Sequence, residues 1–220
     1  MAALTGYRRR IIGRQYSGGH NLPEAYKEVA WFEQRESYYP DGIAFVLPYT
    51  NADRIYVDAV VPPYISIENY GVIFIGNSSN GYSYSAHGAE KNNETCVFAY
   101  NKVPAYYSFD KSIRNRHIYS ISSTKVSVDD EDYVGSYFQD TRHYFGVMCA
   151  SNGEGGKSNV SGWQRLGRLF SAGADYQGQP IIRAYPCIRR SDNIAGLYDI
   201  ITETFYPSEN SARLFVGPQL

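Results

Sequence analysis

Residues Ile55, Val57, Ala59 and Val61 are apolar at every second position, with Tyr56 and Asp58 between them. A two-residue period places alternate side chains on opposite faces of an extended chain, so this stretch reads as a strand with one side on a core. The rhythm continues through Tyr82 and Tyr84, Val97 and Phe98, Tyr119 and Ile121, and Val126 and Val128, and Tyr144 to Cys149 adds a further strand. Val72 to Ile75 is a continuous apolar run closed by Gly76-Asn77, as expected of a strand covered on both faces. The 20 Gly and 10 Pro fall between these short blocks, where they end strands and supply turns. Many short strands separated by turns predict an all-β chain folded as two packed antiparallel sheets.

Composition agrees with strands. The chain has 22 Tyr, 10 Phe and 2 Trp, and aromatic side chains suit a half-buried pleated surface. At 220 residues one core suffices. The 21 Lys and Arg balance 22 Asp and Glu, which gives no general attraction to nucleic acid or to an anionic membrane and makes any electrostatic partner local. No apolar run approaches the ~18 residues that span a bilayer, and the first residues lack the form of a secretory leader. Cys96, Cys149 and Cys187 show no zinc spacing and read as buried free thiols, which suits folding in a reducing cytoplasm.

Three stretches depart from this pattern. Residues 1–21 carry Arg8, Arg9, Arg10 and Arg14 with no acidic residue before Glu24, and Gly18-Gly19 closes them; they read as a basic arm that is solvated or docks to a partner. From Asn21 the local signals favour a helix, with Asn21 as cap, Pro23 in the first turn, and Leu22, Tyr26, Val29 and Phe32 near a 3.6-residue period. Residues 153–162 are polar and glycine-rich and read as a surface loop between strands.

Two longer motifs resemble a known family. The run Leu22-Pro23-Glu24-Ala25-Tyr26-Lys27-Glu28-Val29-Ala30-Trp31-Phe32-Glu33 resembles the opening of a concanavalin A-like (LamG-like) domain, common in phage tail and head-appendage proteins and in bacterial surface proteins. The closing stretch Arg183 to Asn193, with Pro186-Cys187, then Gly196-Leu197-Tyr198-Asp199, Thr204-Phe205-Tyr206 and Val216-Gly217-Pro218, is similar to the end of that domain. Between them, Arg116 to Tyr119 and Val126 to Asp129 stand where the family has a strand beginning near a His and a hairpin ending in an Asp. The chain departs from the family after Glu36-Ser37, where it reads Tyr38-Tyr39-Pro40-Asp41-Gly42.

The resemblance implies a two-sheet jelly-roll domain over residues 22–220, preceded by the arm at 1–21. It replaces the local helix with a short turn at Pro23 to Tyr26 and a strand through Phe32, since tertiary context overrides propensity. It also implies a non-enzymatic bacteriophage virion component, a decoration or appendage protein on head or tail. Such a component would dock to other virion proteins through Arg8, Arg9, Arg10 and Arg14, form a homo-oligomer such as a trimer, and adhere to host-surface glycans. No cofactor, metal or membrane partner is implied.

The residues themselves add site candidates. Gly196 permits a close backbone approach, Asp199 can accept backbone N–H bonds across a turn, and Leu197, Tyr198, Phe205 and Tyr206 offer apolar area, so this segment reads as a structural clasp. Aromatic faces that could stack on sugars are Tyr82, Tyr84 and His87 beside Asn80, the pair Tyr106-Tyr107, and Trp163 beside the glycine-rich loop. A polysaccharide hydrolase, or a free-standing carbohydrate-binding module, is the alternative. A hydrolase needs two carboxylates across a cleft, and no strand carries acids alternating on one face. Asp129-Asp130-Glu131-Asp132 is contiguous and reads as a solvated hairpin tip. No Gly-x-Ser-x-Gly elbow occurs. Gly153 to Ser158 lacks phosphate-loop spacing, and His20, His87, His117 and His143 are isolated.

Overall fold

A computed structural model describes residues 19–35, 45–48, 52–65, 72–79, 82–91, 94–101, 103–108, 112–122, 125–134, 144–148, 150–151, 157–158, 167–208 and 214–220. These residues form an all-β structure of two sheets, without a helix among them. The larger sheet contains β1 (Tyr26–Glu28), β2 (Phe32–Gln34), β4 (Arg54–Val60), β9 (His117–Ser122), β10 (Lys125–Val128) and β11 (Glu131–Val134). Its remaining strands are β15 (Gly167–Tyr176), β16 (Gln179–Arg189), β17 (Ala195–Asp199), β18 (Thr204–Pro207) and β19 (Phe215–Val216). The smaller sheet contains β3 (Phe45–Pro48), β5 (Val72–Ser79), β6 (Tyr82–Lys91), β7 (Glu94–Asn101), β8 (Val103–Ser108), β12 (Tyr144–Val147), β13 (Ala150–Ser151) and β14 (Lys157–Ser158). Pairing is antiparallel throughout, apart from a parallel contact of Ser151 with Asn77.

The alternation read at Ile55, Val57, Ala59 and Val61 is the inward face of the larger sheet, and all four are buried. They join Phe32, Tyr119, Ile121, Leu169, Ala172, Ala174, Ile182, Ala184 and Leu197 in a core completed by Phe45, Leu47, Ile75, Phe145 and Val147 of the smaller sheet. The rings of Phe32 and Phe45 stack across the two sheets with centroids 5.9 Å apart. The described apolar residues of the two sheets meet in one cluster, and that cluster holds them together.

The helix suggested by propensity at Asn21 to Phe32 does not form. The Tyr26 amide bonds to the Pro23 carbonyl in a turn, and β1 follows at once. Tertiary pairing decides this segment. β15 and β16 pair with each other over Ala172–Tyr176 and Gln179–Ala184 and then diverge. β1 pairs with β16 at Cys187–Arg189, and β2 pairs with β15 at Gly167–Leu169, so the segment fills the fork between them. β19 then closes on β2, with Phe215 opposite Glu33 and Val216 opposite Phe32.

Two tight hairpins are set by left-handed residues. Gln177 and Gly178 (φ 49° and 74°) turn β15 into β16, and Asp129 and Asp130 (φ 52° and 65°) turn β10 into β11. Two successive positive φ angles match the right-handed twist of the flanking strands. Asp129-Asp130 is therefore a hairpin tip, but two of its acids are more than solvated. Asp129 accepts the Ile118 amide at 2.9 Å and bonds the His117 ring at 2.6 Å, and Asp130 accepts from Arg54 at 2.9 Å.

Two further boundaries differ from the sequence reading. β5 continues past Gly76-Asn77 to Ser79, because β6 supplies partners as far as Tyr82. Inside the glycine-rich stretch, Lys157–Ser158 pairs with Ala150–Ser151 as a two-residue ladder. The rest of that stretch lies outside the described residues, as do Arg8, Arg9, Arg10, Arg14, His143, Cys149 and Trp163. Of the expected arm only Gly19–Asn21 is described. His20 is held on the sheet, bonded through its backbone and ring to Glu28 and stacked on Tyr185 at 3.6 Å.

Candidate functional site

Opposite the core, the outer face of the larger sheet carries arginines laid over aromatic rings and paired with acids. β2 shows how the sequence produces this. Phe32 and Gln34 turn inward, so Trp31, Glu33 and Arg35 alternate onto the outer face. Arg168 stands directly opposite Glu33 in β15. Tyr64 arrives on the turn after β4, which is closed by the Ile65 amide on the Pro62 carbonyl. Arg114 pins that turn by donating Nη1 to the carbonyls of Pro62 and Ile65 at 2.9 and 2.8 Å, and the Ile65 side chain anchors it in the core.

Glu33 is the centre of the cluster and is 0 % exposed. Its Oε1 accepts Arg35 Nε at 2.6 Å. Its Oε2 accepts the Tyr64 hydroxyl at 2.6 Å and Arg168 Nε at 2.8 Å, with Arg168 Nη2 also 2.6 Å away. Arg168 Nη2 donates to the Tyr64 oxygen at 2.8 Å, which closes the ring of bonds. The Arg168 guanidinium lies 4.0 Å from the Trp31 ring centroid, and the indole rests against Gly217. Arg35 lies 3.8 Å from the Phe215 centroid and 5.4 Å from that of Tyr64. Burial alone raises the pKa of Glu33, but the bonds from Tyr64, Arg35 and Arg168 outweigh it and hold the carboxyl below its usual range. Burial, and then the bond to Glu33, push the Tyr64 hydroxyl up.

The same grammar recurs along the face. Arg116 grips Asp58 with two bonds of 2.7 and 2.6 Å while lying 3.7 Å from the Phe170 centroid. Arg183 bonds Asp175 at 2.6 Å beside Tyr56, whose ring lies over Gly173. Planar guanidiniums serve both roles at once, because the fork matches a carboxylate while the face stacks on a ring. Each buried carboxylate described here (Glu28, Glu33, Asp58, Asp175 and Asp199) is bonded to an arginine, to a histidine or to backbone amides.

The residues singled out in the sequence fall elsewhere. Tyr82, Tyr84 and His87 lie on β6, and Tyr106 and Tyr107 on β8, so all five belong to the smaller sheet. His87 is opposite Phe98, and Phe98 is opposite Tyr106, which puts these positions in one cross-strand row. Tyr82 and Tyr84 sit four and two residues before the β6 residue Ala86, opposite Ser79 and Asn77.

The expected clasp residues cluster at the edge of the larger sheet. Asp199 accepts the Arg183 amide at 2.8 Å, the Ile201 amide at 3.0 Å and the Thr202 hydroxyl at 2.6 Å. Phe205 covers Gly196, Tyr198 meets Tyr26 at 4.5 Å, Leu197 is in the core, and Tyr206 packs against it. Cys187 is a buried free thiol whose pKa is pushed up to about 12 by burial and then by the charge of Glu28.

His117 faces Asp129 with Nδ1 and the Ser112 carbonyl with Nε2, at 2.6 and 3.1 Å, which ties the β9 start to the β10–β11 turn. Among the described residues no group of three His, Cys, Asp or Glu side chains could hold a metal ion.

The Glu33 cluster escaped the sequence reading for a definite reason. The spacing Trp31-x-Glu33-x-Arg35 is visible once a strand is assumed, but Tyr64 and Arg168 reach Glu33 from 31 and 135 residues away. No protein-family model matches the chain, and no curated protein sequence matches it.

Proposed function

We propose that this chain is a non-enzymatic, lectin-like jelly-roll subunit of a bacteriophage particle, a decoration or appendage protein on head or tail, which adheres to host-surface glycans. The reading rests on one observation. The outer face of the larger sheet offers ring surface to solvent, with Tyr64 59 % and Phe215 47 % exposed, while the buried acids around it are bonded to cations or amides. Exposed rings on a braced turn and a paired strand suit reversible stacking contacts. A glycoside hydrolase would instead need a facing pair of available carboxylates. The opening and closing motifs support the family reading, and the arginines of the arm support docking to an acidic surface of other virion proteins.

Particle proteomics combined with imaging tests this. The chain is expected in purified particles, in symmetric copies. A deletion of residues 1–18 stops short of His20, which is packed on the sheet; it is expected to leave a folded protein that no longer joins particles. Normal incorporation of that variant would overturn the docking role, and release of reducing ends from host polysaccharide by the purified protein would overturn the non-enzymatic reading.

A further inference from the structure

Resting on the adhesive reading, we infer that Arg35, flanked by Tyr64 and Phe215, is a binding site for glycans that carry a carboxylate on the sugar ring. Within the cluster a single carboxylate, Glu33, meets two guanidiniums, those of Arg35 and Arg168. One positive charge is therefore left over. Its place follows from which bonds are already made. Both oxygens of Glu33 are taken, and the Tyr64 hydroxyl both donates to Glu33 and accepts from Arg168. Arg168 uses Nε and Nη2 inside the ring of bonds. Arg35 commits Nε to Glu33 and has a weaker side-chain contact with the Tyr64 hydroxyl, so the outer Nη edge of its guanidinium remains for a ligand, on a side chain 43 % exposed.

Those donors are held in place. The Nε bond to a fully buried carboxylate fixes one edge of the guanidinium, and the Phe215 ring 3.8 Å from Cζ limits its plane. The outer edge of a planar guanidinium carries two parallel N–H groups, which fit the two oxygens of a carboxylate. The exposed rings of Phe215 and Tyr64 beside it give the apolar face of the same sugar a surface to stack on. A single surplus charge matches a monoanionic carboxylate; a phosphate monoester would bring a second charge that nothing in the cluster neutralises.

The test measures binding of the full chain to immobilised polygalacturonate, alginate and polysialate, with methyl-esterified polygalacturonate as a neutral control of the same ring. Wild type is expected to bind at least one acidic polymer, to lose affinity for the ester, and to weaken about tenfold or more in Arg35→Gln. Arg35→Lys keeps the charge without the fork and is expected to lose a smaller part of the affinity. Circular dichroism melting of both variants separates loss of binding from loss of fold. Failure of wild type to bind any of the three, or equal binding by wild type and both variants, would overturn the site. Binding to neutral glycans that is indifferent to Arg35 would overturn it too, while leaving the adhesive reading and its particle-based test intact.

Discussion

The carboxylate of Asp199 accepts the backbone amide of Arg183 at 2.8 Å, joining the last residue of β17 to the middle of β16. The same group accepts the Ile201 amide and the Thr202 hydroxyl, and it is fully buried. One side chain thus organises the β17–β18 turn and fastens it to its neighbour. Replacing Asp199 with Ala leaves three donors without that acceptor; Ile201 and Thr202 are exposed, so water recovers part of their loss, while each bond contributes about 1 kcal/mol. Asp199→Ala is expected to lower unfolding free energy by about 2 kcal/mol, read from urea denaturation. A loss below about 1 kcal/mol would show that water replaces the carboxylate.

Glu33 makes stability depend on acid. Its folded pKa lies below its unfolded value, so the folded state binds fewer protons there. The resulting stabilisation is present above the unfolded carboxylate pKa and is lost as pH falls through the folded one. Glu33→Gln lacks this component. The stability gap between wild type and Glu33→Gln is expected to be widest near neutral pH and to narrow as pH drops through the acid range, as urea midpoints at a series of pH values would show. A gap independent of pH would mean that the network acts by shape rather than charge.

How much of this was legible in the sequence depends on the range of the interactions. The inward positions Ile55, Val57, Ala59, Tyr119, Ile121 and Val128 follow from alternation alone, since a strand has only two faces. The turn at Pro23 and the strands after it run against local propensity, because pairing in the fork between β15 and β16 makes that segment extended. The aromatic candidates Tyr82, Tyr84, His87, Tyr106 and Tyr107 lie in the smaller sheet, whereas the described arginine–aromatic cluster lies on the larger one. Tyrosine is so frequent here that a ring next to an amide carries little information. What distinguishes Tyr64 is its bond to Glu33, and a bond between strands that are distant in sequence has no local signature.

Gly196 and Phe205 test packing on the outer face. The Phe205 ring lies where a Cβ on Gly196 would project, with the Tyr206 carbonyl 2.6 Å from that position. The ring also meets Tyr26 at 5.3 Å and Arg189 at 4.7 Å, so it cannot move freely. Gly196→Ala is expected to cost about 1–3 kcal/mol, the range for overpacking. If the clash with the ring is the cause, Phe205→Ala relieves it, and the double variant loses less than the sum of the single changes. Strict additivity in thermal or urea unfolding would place the strain in the backbone instead.

The C-terminal segment closes the fork. Gly217 donates its amide to the Trp31 carbonyl, Pro218 accepts from Ala30, Leu220 donates to Glu28, and Gln219 bridges to Val29. β19 supplies the ladder partner of β2, and Phe215 supplies the ring against Arg35. Deleting residues 214–220 removes these bonds and bares one edge of β2, whose inward residue Phe32 belongs to the shared core. At about 0.5–1.5 kcal/mol per hydrogen bond, the deletion should cost at least about 2 kcal/mol. The loss should be local before it is global, because β1 and β2 are held on their other side by β16 and β15. Hydrogen exchange would therefore show the amides of Ala30 and Glu33 opening first, with those of β4 and β9 nearly unchanged at low denaturant. Uniform acceleration across the larger sheet would contradict this, and would make the closing strand part of the cooperative core rather than its seal.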